Sequence, residues 1–240
     1  MLRFCLVVDC ERFLSFKQGN PRWNRFEKFK GKINDIIKNF RYNKYGFELI
    51  LKIIKKNDFP ITLMLVGSIL KPDENIKLVE WGYHTLNHKP LTLLSDEEVK
   101  KEVKNIYNCK SITPPLWMVE DIKSPERIFK ILKKEGFYNI VYKGKDDGII
   151  CLHSLEVSKI KNKYGLRCIS VSNNFEGNSP KRHIKEVKAD IIKNLDKDAV
   201  YLLSTHDFTH KNDGNLMEII SFIKKLEKEN KLRAFMLKDV

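Results

Sequence analysis

The sequence predicts an α/β fold, a parallel sheet with helices packed outside it. Three observations carry that expectation. Short runs of β-forming residues, apolar on both faces, suit strands buried in a parallel sheet. These runs alternate with amphipathic segments of helical period from one end of the 240-residue chain to the other. No GxGxxG follows the first run and no GxxxxGK ending in Ser or Thr occurs, which weighs against dinucleotide and P-loop folds. Right-handed crossovers then leave two architectures, a barrel or an open doubly wound sheet. With no Pro/Gly/Ser linker and no internal repeat, residues 1–240 read as one domain.

The elements follow in order. Residues 2–9 (LRFCLVVD) form the first strand. Residues 12–43 are aromatic and basic with no clean period, and Trp23 marks them as a candidate substrate-covering loop. Apolar residues at 47, 49, 50, 51, 53 and 54 predict a helix over 45–57, stopped by Asp58 and Pro60. Strands follow at 61–66 and 78–83. Ser95 with Glu98 is a capping box that opens a helix through about residue 108. Residues 111–117 read as a strand running into a proline turn. Ser124 as N-cap, Pro125 at N1 and Gly136 past the end bound a helix over 124–135. Strands are predicted at 138–142, 149–152 and 167–171, a helix over about 180–195, and a strand at 199–205. The last helix is about 213–229, and 233–237 closes the sheet.

Composition narrows the function classes. Lys+Arg is 45 against Asp+Glu 31, a net charge of +14, but the lysines are dispersed over helix faces. That pattern fits a solvated surface better than a nucleic-acid groove, so nucleic acid is disfavoured as a partner. Hydrophobic residues at 42% rule out a disordered chain. No apolar run approaches the ~20 residues of a membrane span. The N-terminal MLRFCLVVDCE is too short for a signal peptide and lacks a small-residue cleavage site, so a cytoplasmic protein is expected. Five cysteines without any CxxC argue against a disulfide framework or a zinc ribbon, and Cys5, Cys151 and Cys168 read as core.

In a parallel α/β fold the reactive groups collect where strands end. Asp9-Cys10-Glu11 ends the first strand, His84-Thr85-Leu86-Asn87-His88 follows the third, and His206-Asp207 follows the 199–205 strand. On one helical turn, the spacing of His84 and His88 sets two imidazoles on one face, within reach of a single metal. A carboxylate from the first strand completes a His₂–carboxylate set with open positions, suited to Zn²⁺ or another divalent transition metal.

The run HTLNHKPLTLLSDEEVKKEV resembles the second signature of the polysaccharide deacetylase (NodB-homology, carbohydrate esterase) family. VVDCE resembles its first signature, TPPLW its third and VYLLSTHD its last. The resemblance implies a distorted (β/α) barrel of about seven strands and a divalent cation, Zn, Co or Ni. It also implies an amide hydrolase acting on an N-acyl amino sugar, a glycan or a glycan precursor. Carried over by position, His84 and His88 become metal ligands, Asp9 the general base and His206 the general acid. Some members space their two acids as acid-x-acid, which assigns Glu11 to the metal, with Cys10 as the competing thiolate. Pro115 and Trp117 match the third signature and fall on the substrate side, but Thr113 stands where the family has Arg. The acid that polarises the last His is unplaced, with Asp146, Asp147 and Glu156 as candidates.

Such a site would polarise an amide carbonyl, activate water through Asp9 and protonate the leaving nitrogen through His206. The departures keep two other readings open, a hydrolase of a small linear or cyclic amide, and a lapsed barrel that binds glycan or nucleic acid. Bland roles compete for the remaining residues. His210 reads as solvent-facing, His183 as surface, His153 as a strand-end pocket residue, and Trp81 and Trp117 as core or pocket wall.

Overall fold

The structure is a computed structural model that describes residues 1–11, 44–73, 75–119, 124, 126–142, 161–212 and 214–240. Residues 12–43 with Trp23, Pro125, the predicted strand 149–152 with Cys151, and Asp146, Asp147, His153 and Glu156 lie outside the described residues.

The strands are β1 (Leu2–Cys10), β2 (Ile61–Leu65), β3 (Val79–Tyr83), β4 (Ser111–Ile112), β5 (Asn139–Tyr142), β6 (Lys161–Lys163), β7 (Leu166–Ser170), β8 (Asn173–Asn174), β9 (Val200–His206) and β10 (Leu232–Phe235). The helices are α1 (Tyr45–Asn57), α2 (Asp96–Glu102), α3 (Arg127–Lys134), α4 (Lys181–Lys193) and α5 (Gly214–Lys228). The sheet runs β6-β7-β5-β4-β3-β2-β1-β9-β8, with β10 also on β1. Only Val171 and Ser172 separate β7 from β8, and Ser172 N–H donates to Leu202 O at 2.9 Å. The chain that pairs with β5 therefore goes on to pair with β9, and the sheet curls round on itself into the predicted barrel.

Side chains of β1 alternate between two cores, as the period of a strand requires. Leu2, Phe4, Leu6, Val8 and Cys10 pack outward, against the stripe Phe47, Ile50, Ile53 and Ile54 of α1 and Leu216, Ile219, Ile220 and Ile223 of α5. Cys5 and Val7 point inward with Met64, Val141, Ile169, Val200 and Leu202. Both faces are apolar, so the strand reads as a continuous hydrophobic run. Truncating one such core leucine to alanine costs about 2–5 kcal/mol. A Cβ at Gly82 would lie 2.3 Å from Met64 Sδ, so the glycine makes room for methionine in the barrel interior.

Three elements depart from the prediction. Helix α3 starts at Arg127, with Glu126 at its N-cap, rather than from a Ser124 cap. Helix α2 ends at Glu102 rather than near 108 because Glu102 turns its carbonyl and carboxylate to the loop after β3. The hairpin β6–β7 is antiparallel, through a two-residue turn with Tyr164 (φ 50°) and Gly165 (φ 79°) both left-handed.

Candidate active site

Three strand ends meet at one mouth of the barrel. Parallel pairing sets Asp9 of β1 opposite His206 of β9 and carries β2 beside β3, which delivers His84. The period-2 alternation of β1 brings Asp9 to the inner face and sends Cys10 out. Cys10 packs in the outer core, with its thiol facing Val8 O, and burial raises its pKa well above the usual thiol value. Glu11, next along, returns to the inside. Its Oε2 lies 2.5 Å from His84 Nε2 and 2.7 Å from His88 Nε2. All three side chains are buried, and their donor atoms lie within 4.8 Å of one another.

The way His84 and His88 meet corrects the helical-turn reading. Residues 84–88 form a loop, with Thr85 (φ 62°) and His88 (φ 59°) in the left-handed region. These two reversals bring the imidazoles to 4.7 Å between centroids, tilted by 37°. The loop hangs from its neighbours: Gly67 N–H donates to Thr85 O, Ser68 N–H to Leu86 O and Leu86 N–H to Glu102 O.

The donor set suits a divalent cation. His84 Nδ1 pairs with Thr113 O at 2.5 Å, which places its hydrogen there and turns the Nε2 lone pair toward Glu11. A lone pair facing a carboxylate oxygen calls for a proton or a cation between them. Two imidazoles and one carboxylate are ligands that Zn²⁺ and similar ions accept. Without a cation, burial alone would raise the Glu11 pKa, but the charges of His88 and His206 and hydrogen bonds from His84 and His88 hold it well below the usual carboxylate range. Burial opposes protonation of His84, yet Asp9 and Glu11 raise its pKa.

Asp9 is 1% exposed, and its Oδ1 has no hydrogen-bond partner among the described residues. Burial, reinforced by Glu11, raises its pKa against the pull of His84, so this carboxylate takes a proton more readily than most. His206 keeps 24% of its side chain exposed and sets Nε2 3.6 Å from Glu11 Oε1. Its Nδ1 lies 2.7 Å from Glu176 Oε1. Burial works against the imidazolium, but Glu176 foremost, then Glu11, pushes the pKa up to about 10.

Glu176 is the site residue that sequence reasoning missed. It follows β8, whose two residues are too short to register as a strand, so no sequence pattern marks its carboxylate as a strand-end acid. Asp207, buried beside His206, accepts from Glu11 N–H at 3.2 Å and ties the end of β9 to the end of β1.

Pro115 and Trp117 sit in a short 3-10 turn after β4, and Trp117 is 8% exposed and packs with the inner core. Thr113 is fully buried, and its carbonyl orients His84. Trp81 lies on the outer core against Phe47, with its indole N–H donating to Asp73 O. His183 is half-buried, with Nε2 2.8 Å from Asn174 O. His210 is not solvent-facing: the 3-10 turn Asp207–Thr209 folds it back under β9. There it is 1% exposed, pairs with Thr205 Oγ1 at 2.9 Å and packs edge-on to Phe175.

The fold is the barrel also seen in a polysaccharide deacetylase and a family 4 acetyl xylan esterase. A protein described as a polysaccharide deacetylase from Mycobacterium smegmatis is similar over 99% of this chain and 88% of its own, at 12% identity and a TM-score of 0.65. An allantoinase shares the fold at 13% identity and a TM-score of 0.58, over 99% of this chain and 88% of its own. An acetyl xylan esterase from Clostridium thermocellum, solved with a cobalt ion, does so at 11% identity and a TM-score of 0.54, over 99% and 89%. At these identities the likeness is one of fold. No protein-family model matches the chain, and no curated protein does.

Proposed function

We propose that the chain is a metal-dependent hydrolase that removes an N-acyl group, most simply N-acetyl, from an amino sugar or glycan precursor. One observation carries the reading: Glu11, His84 and His88 converge beside Asp9, whose Oδ1 has no partner among the described residues, and the Glu176-paired His206. Glu11, His84 and His88 would hold a divalent cation, Zn²⁺ or else Co²⁺ or Ni²⁺, which supplies Lewis acidity to the acyl carbonyl and the attacking water. Asp9 takes the proton of that water. His206, kept protonated by Glu176, gives a proton to the leaving nitrogen, without which an amine is a poor leaving group. Pro115 and Trp117 would wall the sugar side of the mouth.

The fold shared with an allantoinase, and Thr113 in the place of an arginine, favour a second reading, hydrolysis of a small linear or cyclic amide. No helix among the described residues is long and apolar enough to cross a membrane. A cytoplasmic enzyme of this kind would meet soluble precursors before finished polymers.

The test titrates the purified protein with Co²⁺ and Zn²⁺. It then measures acetate release from chitooligosaccharides and UDP-N-acetylglucosamine, for wild type, His84→Ala and Asp9→Asn. Cation binding lost in His84→Ala, with acetate release lost in both variants, is the expected result. Binding without acetate release, but with turnover of small amides, selects the second reading. A wild-type protein that binds neither cation defeats both.

A further inference from the structure

The two imidazoles of the site are held by different means. His84 sits at the end of β3, with its N–H on Leu65 O at 2.8 Å and its ring on Thr113 O. Pairing of β3 with β2 and β4 fixes it. His88 has no strand to hold it. It is reached through Thr85 and itself adopts φ 59°, uncommon for a residue with a side chain, and its N–H donates to Thr85 Oγ1 at 3.1 Å.

Beyond that local bond, the loop is held by the Gly67 and Ser68 amides and by one buried carboxylate that the proposed chemistry does not use. Glu102, the last residue of α2, is 3% exposed. Its Oε2 accepts from Asn87 N–H at 2.8 Å, its Oε1 accepts from Asn87 Nδ2 at 2.9 Å, and its carbonyl accepts from Leu86 N–H at 2.7 Å. Asn87 is exposed and immediately precedes His88, and its side chain makes no other hydrogen bond among the described residues. The capping box of Ser95 and Glu98 anchors the other end of the same short helix. Exposed Lys89 lies 3.7 Å from Glu102 Oε1 and adds only a screened attraction.

We infer that Glu102 is a positioning residue. Through Asn87 it holds the loop that turns His88 onto Glu11, so that α2 sets the geometry of the cation site from outside the barrel. The inference rests on the proposed metal site, and it predicts something that reading does not: a residue that touches none of the ligands governs cation affinity. Removing outer partners of metal ligands weakens binding by roughly 10- to 100-fold.

The experiment compares wild type with Glu102→Ala and Glu102→Gln in full-length protein. It reads Co²⁺ affinity by chelator competition, the cobalt visible spectrum, and amide hydrogen exchange at Asn87 and His88 in the metal-free protein. Glu102→Ala should weaken Co²⁺ binding by about 10- to 100-fold, change the spectrum as His88 is lost, and speed exchange at both amides. Glu102→Gln should restore all three, because its carbonyl takes the Asn87 N–H and the Asn87 amide flips to accept from its NH₂. Wild-type affinity and exchange in Glu102→Ala overturn the inference, as does a Glu102→Gln protein no better than Glu102→Ala. If Glu102→Ala does not fold, Asn87→Ala at the exposed partner reads the same effect at smaller amplitude, and unchanged affinity there overturns it. If wild type binds no cobalt, the metal reading fails, while the exchange comparison still decides whether Glu102 holds the loop.

Discussion

Acid should destabilise this protein through His210, a residue outside the proposed chemistry. The side chain is 1% exposed, pairs with Thr205 Oγ1 through Nε2, and leaves Nδ1 without a partner among the described residues. Burial is the main cause that lowers its pKa to about 4; Glu176 opposes the shift and His206 adds to it. In the unfolded chain the same imidazole titrates near 6.5. Between those values the unfolded state binds a proton that the folded state refuses. Stability therefore falls as pH falls, by about 1.4 kcal/mol per pH unit for this one group. From pH 6.5 to about 4 the loss reaches about 3 kcal/mol, a large part of the net stability of a typical domain. His210→Gln keeps a neutral polar side chain near Thr205 and removes the titration. Urea denaturation of both proteins at several pH values from about 7.5 to 5 gives the difference in unfolding free energy. Packing loss in the variant shifts that difference by a constant, and the carboxylates shared by both proteins cancel. The wild type should lose about 2 kcal/mol relative to the variant between pH 6.5 and 5. A difference that stays flat across the range would refute the argument, since it would mean that His210 takes up its proton as freely folded as unfolded.

Two further perturbations bear on the same region. Glu176→Gln takes the negative partner from His206 Nδ1, so turnover should fall by on the order of 100-fold while Co²⁺ binding is kept. Parallel kinetic and cobalt titrations check this, and joint loss of both would assign Glu176 a structural role instead. Gly46→Ala would place a Cβ 1.9 Å from Asp207 O, where α1 meets the turn that follows His206. Moving that backbone should cost about 1–3 kcal/mol, and an unaltered melting temperature would contradict the packing described.

What could be read without coordinates was local. The stripe of α1 and its stop at Asp58, the capping box of Ser95 and Glu98, and the apolar runs of β1, β2 and β9 are written in spacings of two to four residues. Steric and hydrophobic periodicity act over that distance, so they leave a signal in the sequence. The strand-end positions of Asp9, His84 and His206 follow from the same pattern. Even the choice between Cys10 and Glu11 lay in the alternation of β1, because neighbours on a strand face opposite sides.

The rest depended on which segments became neighbours. That Glu176 would lie against His206 rests on β8 pairing with β9, thirty residues away in sequence. That His88 would meet Glu11 rests on a loop held by a helix after it, not on a helical turn of its own. That His210 would be buried rests on Phe175 and on a 3-10 turn folding it back. Each depends on hydrogen bonds and contacts between groups far apart along the chain, whose partners are chosen by strand order and register. A sequence carries its periodicities one segment at a time; the meeting of segments exists only once the sheet has curled and closed.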